Sequence, residues 1–362
     1  MYVNDDYWGT KMNIKSILLG SAAALVAVTG ARAADAVVVA EPEAVEYVRV
    51  CDAYGAGFFY IPGTETCLKI GGYLRYDAVG GDDVYSGGKL GTWWKRSRAT
   101  VRFDARSETE LGTLRSFIET RFQYTNGVNA TELPHAYIEL GGFRIGVTDE
   151  IFGSWTNYAG GIINDDVINY QSATTNQVSY TFNGGNGFSA IIAAEQGSSI
   201  AYPTGGTIDH RIDDYMPHVL AGAKFEQAWG SISGVVGYDS RVEEWAGKLR
   251  LDVKFTDTVS AFIMGGYQSD WDDSTTANGN WFGTWYGDYA IWGGLTAKVS
   301  DKATVNGQVA YEEDGTWAAG LNVAYELVPG LTITPEVNYT KFDGQRGDDD
   351  AFGGMIRFQR NF

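Results

Sequence analysis

The sequence predicts an all-β chain closed into a transmembrane antiparallel β-barrel of about 16 strands. Three observations predict it. Apolar and polar residues alternate with a period of two from Leu68 to Phe362, with no helical stripe between the alternating stretches. Aromatic residues recur near the ends of those stretches on the apolar side, among them Trp93, Tyr124, Tyr180, Tyr267, Tyr311, Tyr325 and Tyr339. A bilayer interface favours such amphipathic rings. Long and tight connections also alternate along the chain, as in barrels with long loops on one side of the membrane and turns on the other.

The N-terminus comes first. From Met12 the chain reads Asn13, Ile14, Lys15, then an apolar run from Ile17 to Val28, then Ala31-Arg32-Ala33. A basic start, a short apolar centre and an A-x-A site make residues 12–33 a signal peptide cleaved after Ala33. The apolar run is shorter than the roughly 20 residues a spanning helix needs. Residues 1–11 carry Asp5 and Asp6 where a signal favours basic charge, and they are read as a mis-assigned upstream start. Residues 34–66 form a periplasmic segment that includes Cys51, and residues 67–362 form the barrel. Cys51 and Cys67 are the only two cysteines. In the oxidising compartment that a secretion signal implies, they are expected to pair, and Gly55, Gly57, Pro62 and Gly63 let the chain between them fold back.

The strands follow. Leu249, Leu251, Val253 and Phe255 alternate with Lys248, Arg250, Asp252 and Lys254, so one face is oily and the other charged. Leu321, Val323, Tyr325 and Leu327 alternate with Gly320, Asn322, Ala324 and Glu326 in the same way. A soluble sandwich gives the same alternation with its apolar face inward, but one of this length would normally split into modules. Candidate strands lie at 67–79, 92–106, 112–125, 132–140, 143–149, 176–183, 187–195 and 217–226, then at 230–239, 246–255, 258–268, 287–299, 303–312, 316–327, 331–341 and 351–362. Tight turns fall at 107–112, 141–142, 183–187, 227–230, 256–258, 300–302 and 328–330, and long connections at 80–91, 150–175, 196–217 and 269–286. In the last strand Arg360 interrupts the apolar face of Ile356, Phe358 and Phe362, and is expected to snorkel to the periplasmic rim.

Composition agrees with many short strands and narrows the partners. The chain has 47 Gly and 50 aromatic residues (22 Tyr, 17 Phe, 11 Trp) against 7 Pro. Its net charge of −18 argues against nucleic acid, which needs a basic surface. Acidic outer loops suit a surface of outer-membrane lipid and lipopolysaccharide bridged by divalent cations. His135, His210 and His218 are too few and too scattered for a metal site. The run Asp270-Trp271-Asp272-Asp273 fails the EF-hand pattern, so neither a metal nor a cofactor is expected.

Several runs resemble the alphaproteobacterial general-diffusion porins of Brucella and its rhizobial relatives. They are Tyr47-Val48-Arg49-Val50-Cys51-Asp52-Ala53-Tyr54-Gly55, Tyr60-Ile61-Pro62-Gly63-Thr64-Glu65-Thr66-Cys67-Leu68, and the terminal strand ending at Phe362. The resemblance covers the chain from Met12 onward. It implies a 16-stranded barrel, a homotrimer, and a third external loop folded into the lumen as a constriction.

The charges on the polar faces indicate where a pore would be narrowed. The second strand presents Arg96, Arg98, Thr100, Arg102, Asp104 and Arg106, the third Arg115, Glu119, Arg121 and Gln123, and the first Arg75. A turn near Thr109 would bring Arg98 level with Arg121. Like charges directly opposite one another are destabilising, so a basic wall needs water or facing carboxylates. Glu150, Asp165 and Asp166 on the third long-side connection, with Asp149 at its base, are expected to supply them. The reading is a water-filled pore for small hydrophilic solutes and ions, with arginines facing an acidic loop and no catalysis. A sugar-selective channel is the nearest alternative, with Phe152, Trp155 and Tyr158 stacking on sugar rings, although packing of that loop on the wall accounts better for these aromatics. A barrel enzyme comes next, but the three histidines offer no convincing partner set for a nucleophile.

Overall fold

The computed structural model describes residues 49–201, 207–269, 271 and 279–362. The signal segment at 12–33, the upstream residues 1–11, and the acidic residues Asp270, Asp272 and Asp273 lie outside the described residues. The first eight strands are β1 (Cys67–Gly81), β2 (Trp94–Thr109), β3 (Gly112–Thr125), β4 (Val128–Leu140), β5 (Phe143–Asp149), β6 (Thr174–Gly185), β7 (Phe188–Glu195) and β8 (His218–Gln227). The other eight are β9 (Gly230–Asp239), β10 (Glu244–Lys254), β11 (Val259–Gln268), β12 (Tyr289–Lys298), β13 (Ala303–Glu312), β14 (Trp317–Val328), β15 (Leu331–Lys341) and β16 (Asp350–Asn361). Each pairs antiparallel with its chain neighbour, and β16 returns to pair with β1 from Gly353↔Gly81 to Asn361↔Tyr73. The result is a closed 16-stranded barrel. Closure leaves no unpaired edge, which a bilayer requires because it offers no water to the backbone.

The alternating faces meet opposite environments, and in the reverse sense to a soluble core. Leu249 is 63% exposed, while its neighbours Lys248 and Arg250 are each 4% exposed. Leu321, Tyr325 and Leu327 are likewise exposed, and Asn322 between them is buried. The apolar face is therefore the outside, as lipid demands. On the loop side, Tyr238 pairs with Trp245, Tyr267 with Tyr289, Tyr311 with Trp317, and Tyr339 with Phe352, forming an aromatic band across β9–β16.

The seven predicted tight turns fall together at one end, and the four long connections at the other. At 141–142 both glycines have positive φ, 59° and 93°, as a two-residue hairpin of matching twist requires. Arg360 lies on the outer face as expected, level with Leu331, and its guanidinium donates to the Asn361 carbonyl at the tight-turn end.

Some small elements went unread, three of which bear on the site and its frame. Helix α1 (Ile151–Trp155) opens the third long-side connection of the barrel. A two-stranded ribbon, Ser199–Ala201 with Thr207–Asp209, sits in the next. Phe59–Tyr60 pairs with the start of β1, and a disulfide joins Cys51 to Cys67 across that hairpin with Cα atoms 6.0 Å apart. Phe58 packs with the two cysteines, and the Tyr54 hydroxyl donates to Glu108 beside the turn that joins β2 to β3. The hairpin is thereby fixed at the tight-turn end.

Candidate functional site

The inner faces of β1, β2 and β3 carry the basic residues that the alternation predicts, but the register differs by two residues. Arg98 pairs with Gln123, and Arg121 pairs with Thr100. The cause is the hairpin tip. Thr109 pairs with Gly112, which centres the turn between Glu110 and Leu111 and shifts every cross-strand partner.

The arginines are offset by carboxylates of the wall itself, not by those of the loop. Asp77 on β1 is fully buried and accepts from Arg96 at 2.7 Å and from Arg357 of β16 at 2.7 Å. Asp104 holds Arg106 at 2.7 Å and Arg115 at 2.9 Å, and Arg115 reaches on to Glu139 at 2.8 Å. Glu119 joins Arg102 at 2.6 Å to Arg121 at 2.8 Å. Carboxylates set beside the guanidiniums, on the same strand or the next, turn a destabilising row of like charges into an attractive one. Arg75 and Arg98 differ. Their Nε groups donate to Gln359 at 2.9 Å and Gln123 at 2.7 Å, and among the described residues neither has a carboxylate within ion-pair distance.

The loop carboxylates are occupied locally. Glu150 was expected to face the arginines, but it is 2% exposed and caps α1, accepting from Gly153 N at 2.8 Å and Ser172 N at 3.0 Å. Burial raises its pKa against the opposing pull of Lys248. Asp149 accepts from the Tyr158 hydroxyl. Asp165 accepts from the Tyr170 hydroxyl at 2.7 Å, and Asp166 from the Tyr85 hydroxyl at 2.7 Å. Burial and the neighbouring Asp166 push Asp165 up to about 8, so the loop carries less negative charge at neutral pH than its sequence implies.

Residues 150–173 hydrogen-bond to inward side chains of successive strands. Lys248 Nζ donates to the Tyr170 carbonyl at 2.5 Å, Arg250 to that of Tyr158 at 2.9 Å, and Trp292 Nε1 to that of Ile168 at 2.9 Å. Gln308 donates to the Asp165 carbonyl at 2.9 Å and Asn322 to the Gly161 carbonyl at 2.8 Å. Glu336 accepts from Ile163 N at 2.6 Å and Asn164 N at 2.9 Å. Phe152 is fully buried against Phe282, so it packs the segment instead of presenting a ring to solutes.

A cavity of about 560 Å³ lies between the wall and this segment. Arg75, Arg96, Arg98 and Arg357 line one side, and Asn164, Asp166 and Tyr85 the other. Of the predicted residues it gathers three arginines and one acid. Arg102, Arg115 and Arg121 belong to the ion-pair chains and do not line it. Arg357 was missed although its position was legible, since it alternates with the outward Ile356 and Phe358. His210 and His218, read as scattered, meet: His218 Nε2 donates to the His210 carbonyl at 2.8 Å, and its Nδ1 lies 3.0 Å from Asp239. They tie a long connection to β9.

A family model described as "Porin subfamily" matches residues 35–356. Porin Omp2b of Brucella suis is 54% identical over 97% of this chain and 100% of its own length, as is Porin Omp2b of Brucella abortus. Among solved structures, the outer-membrane channel DcaP of Acinetobacter baumannii aligns over 84% of this chain and 99% of its own, with a TM-score of 0.68 at 18% identity. An anion-selective porin from Comamonas acidovorans aligns over 82% and 100%, with a TM-score of 0.54 at 12% identity. At these identities the structural matches speak to the fold alone. The family match and the 54% identity, on a barrel whose polar face is its interior, establish that this chain belongs to the porin subfamily and forms an outer-membrane porin channel.

Proposed function

We propose that the channel passes small hydrophilic solutes and ions by passive diffusion, through a charged constriction between the arginines of β1, β2 and β16 and residues 163–166. The observation that carries this reading is the cavity in which Arg75, Arg96, Arg98 and Arg357 face Asn164 and Asp166. Charges of one sign on one side of a narrow aqueous passage orient water and dipolar solutes and favour counter-ions. With Asp166 raised by burial and Asp165 protonated in part at neutral pH, the arginine side dominates the local field. Ion selectivity in planar bilayers tests this. Replacing Arg75 and Arg98 by Glu should move the reversal potential towards cations, and an unmoved potential would remove the constriction from these residues. The function is that of a pore and not of a catalyst. The chain is further proposed to act as a homotrimer in outer-membrane lipid and lipopolysaccharide, read by its migration in detergent before and after heating.

A further inference from the structure

We infer that Arg75 and Arg98 form a transit binding site for small phosphate monoesters with a neutral, hydroxyl-bearing body. The inference deepens the constriction reading and rests on the passage being open at this level. Four strands contribute one row of inward residues, Gln359, Arg75, Arg98 and Gln123, each paired with the next. The outer glutamines accept from the two Nε groups, at 2.9 Å and 2.7 Å, and the Arg98 guanidinium also donates to the Tyr73 hydroxyl, which fixes both guanidinium planes and leaves the remaining Nη hydrogens for another acceptor. Every other arginine assigned to this wall has a carboxylate at 2.6–2.9 Å. Two guanidiniums opposed across strands with no anion between them repel. A doubly charged oxyanion group removes that repulsion and matches two forks at once, which a single chloride ion does not.

The neighbouring row strengthens the choice. Arg357, Asp77 and Arg96 follow one another across β16, β1 and β2, so that level adds a further net positive charge. Across the cavity the groups are of another kind: the amide of Asn164, the Tyr85 hydroxyl, and Asp166, with Asp82 and Asp83 nearby. A second anionic group would be repelled there, whereas hydroxyls find acceptors and donors. The cavity thus suits a ligand with one phosphoryl end and a polyol end. Arg75 also stacks on Tyr73, with its guanidinium carbon 4.5 Å from the ring centroid, which holds the side chain against the wall.

The test is single-channel recording in potassium chloride with glycerol 3-phosphate added, with glycerol and inorganic phosphate as separate probes. The wild type is expected to show concentration-dependent interruptions of current with glycerol 3-phosphate, weaker ones with phosphate and none with glycerol. In R75Q/R98Q the concentration needed for half block should rise by at least about tenfold, the effect of one or two charge-assisted bonds. R75K/R98K, which keeps the charge but loses the forks, should fall between the two and covers the case in which R75Q/R98Q fails to fold. A wild type without block, or block unchanged in both variants, overturns the inference even where the reversal potential moves. Block that is lost while the reversal potential stays fixed supports the inference and removes the constriction reading instead.

Discussion

Asp77 holds two guanidiniums, Arg96 and Arg357, from a fully buried position. Removing one partner of a buried pair leaves an uncompensated charge, and here it leaves two beside Arg75 and Arg98. Asp77→Ala is therefore expected to cost about 3–5 kcal/mol in urea unfolding of the refolded barrel; a cost below ~1 kcal/mol would show that lumen water already screens the cluster. Asp165 makes a prediction in pH. Its pKa is raised from 3.8 to about 8, so the folded loop keeps a proton that the unfolded chain loses. Its contribution to stability is full at low pH and is lost as pH rises through about 8, where a negative charge also enters the passage. Cation preference should accordingly increase between pH 7 and pH 9, and Asp165→Asn should abolish that increase. Single residues were only partly legible in the sequence. Which side chains face inward followed from parity, and Arg75, Arg96 and Arg98 were placed correctly on that basis. Which carboxylate each would meet depended on register, and a hairpin tip one residue further along moved Arg121 from Arg98 to Thr100.

The strands were legible because each separates lipid from water, so its pattern has one sharp period. Strand ends fell close to where alternation stops. The connection at 150–173 obeys no such rule. Its α1 covers five residues, Ile-Phe-Gly-Ser-Trp, too few to show a helical period, and its path is set by side chains on strands far along the chain. Glu336 is the firmest of these anchors, accepting from Ile163 N, Asn164 N and the Asn322 amide at 2.6, 2.9 and 2.8 Å. Glu336→Ala leaves two backbone donors without their acceptor. We expect a larger and noisier single-channel conductance, with the barrel still resistant to detergent; an unaltered trace would mean that the remaining anchors suffice.

The whole molecule is a polar interior within an apolar shell, and the two surfaces should tolerate change differently. Leu249→Arg puts a charge on the outer face near the middle of β10, which should cost about 2–4 kcal/mol for folding into lipid vesicles. Thr304→Arg adds the same charge to the inner face of β13 and should cost under about 1 kcal/mol, because water reaches it. Similar losses for both would contradict the assignment of faces. The seam between β16 and β1 has a consequence for synthesis. It joins residues more than 270 positions apart, Gly353 with Gly81, so the wall has a gap until the last strand is made. A ribosome that stops early releases a chain whose first strand is paired on one side only, and no shorter cylinder stands ready to hide the open edge. Joining the first strand to the last makes completion a condition of insertion, so truncated products should remain in the periplasm as substrates for proteases.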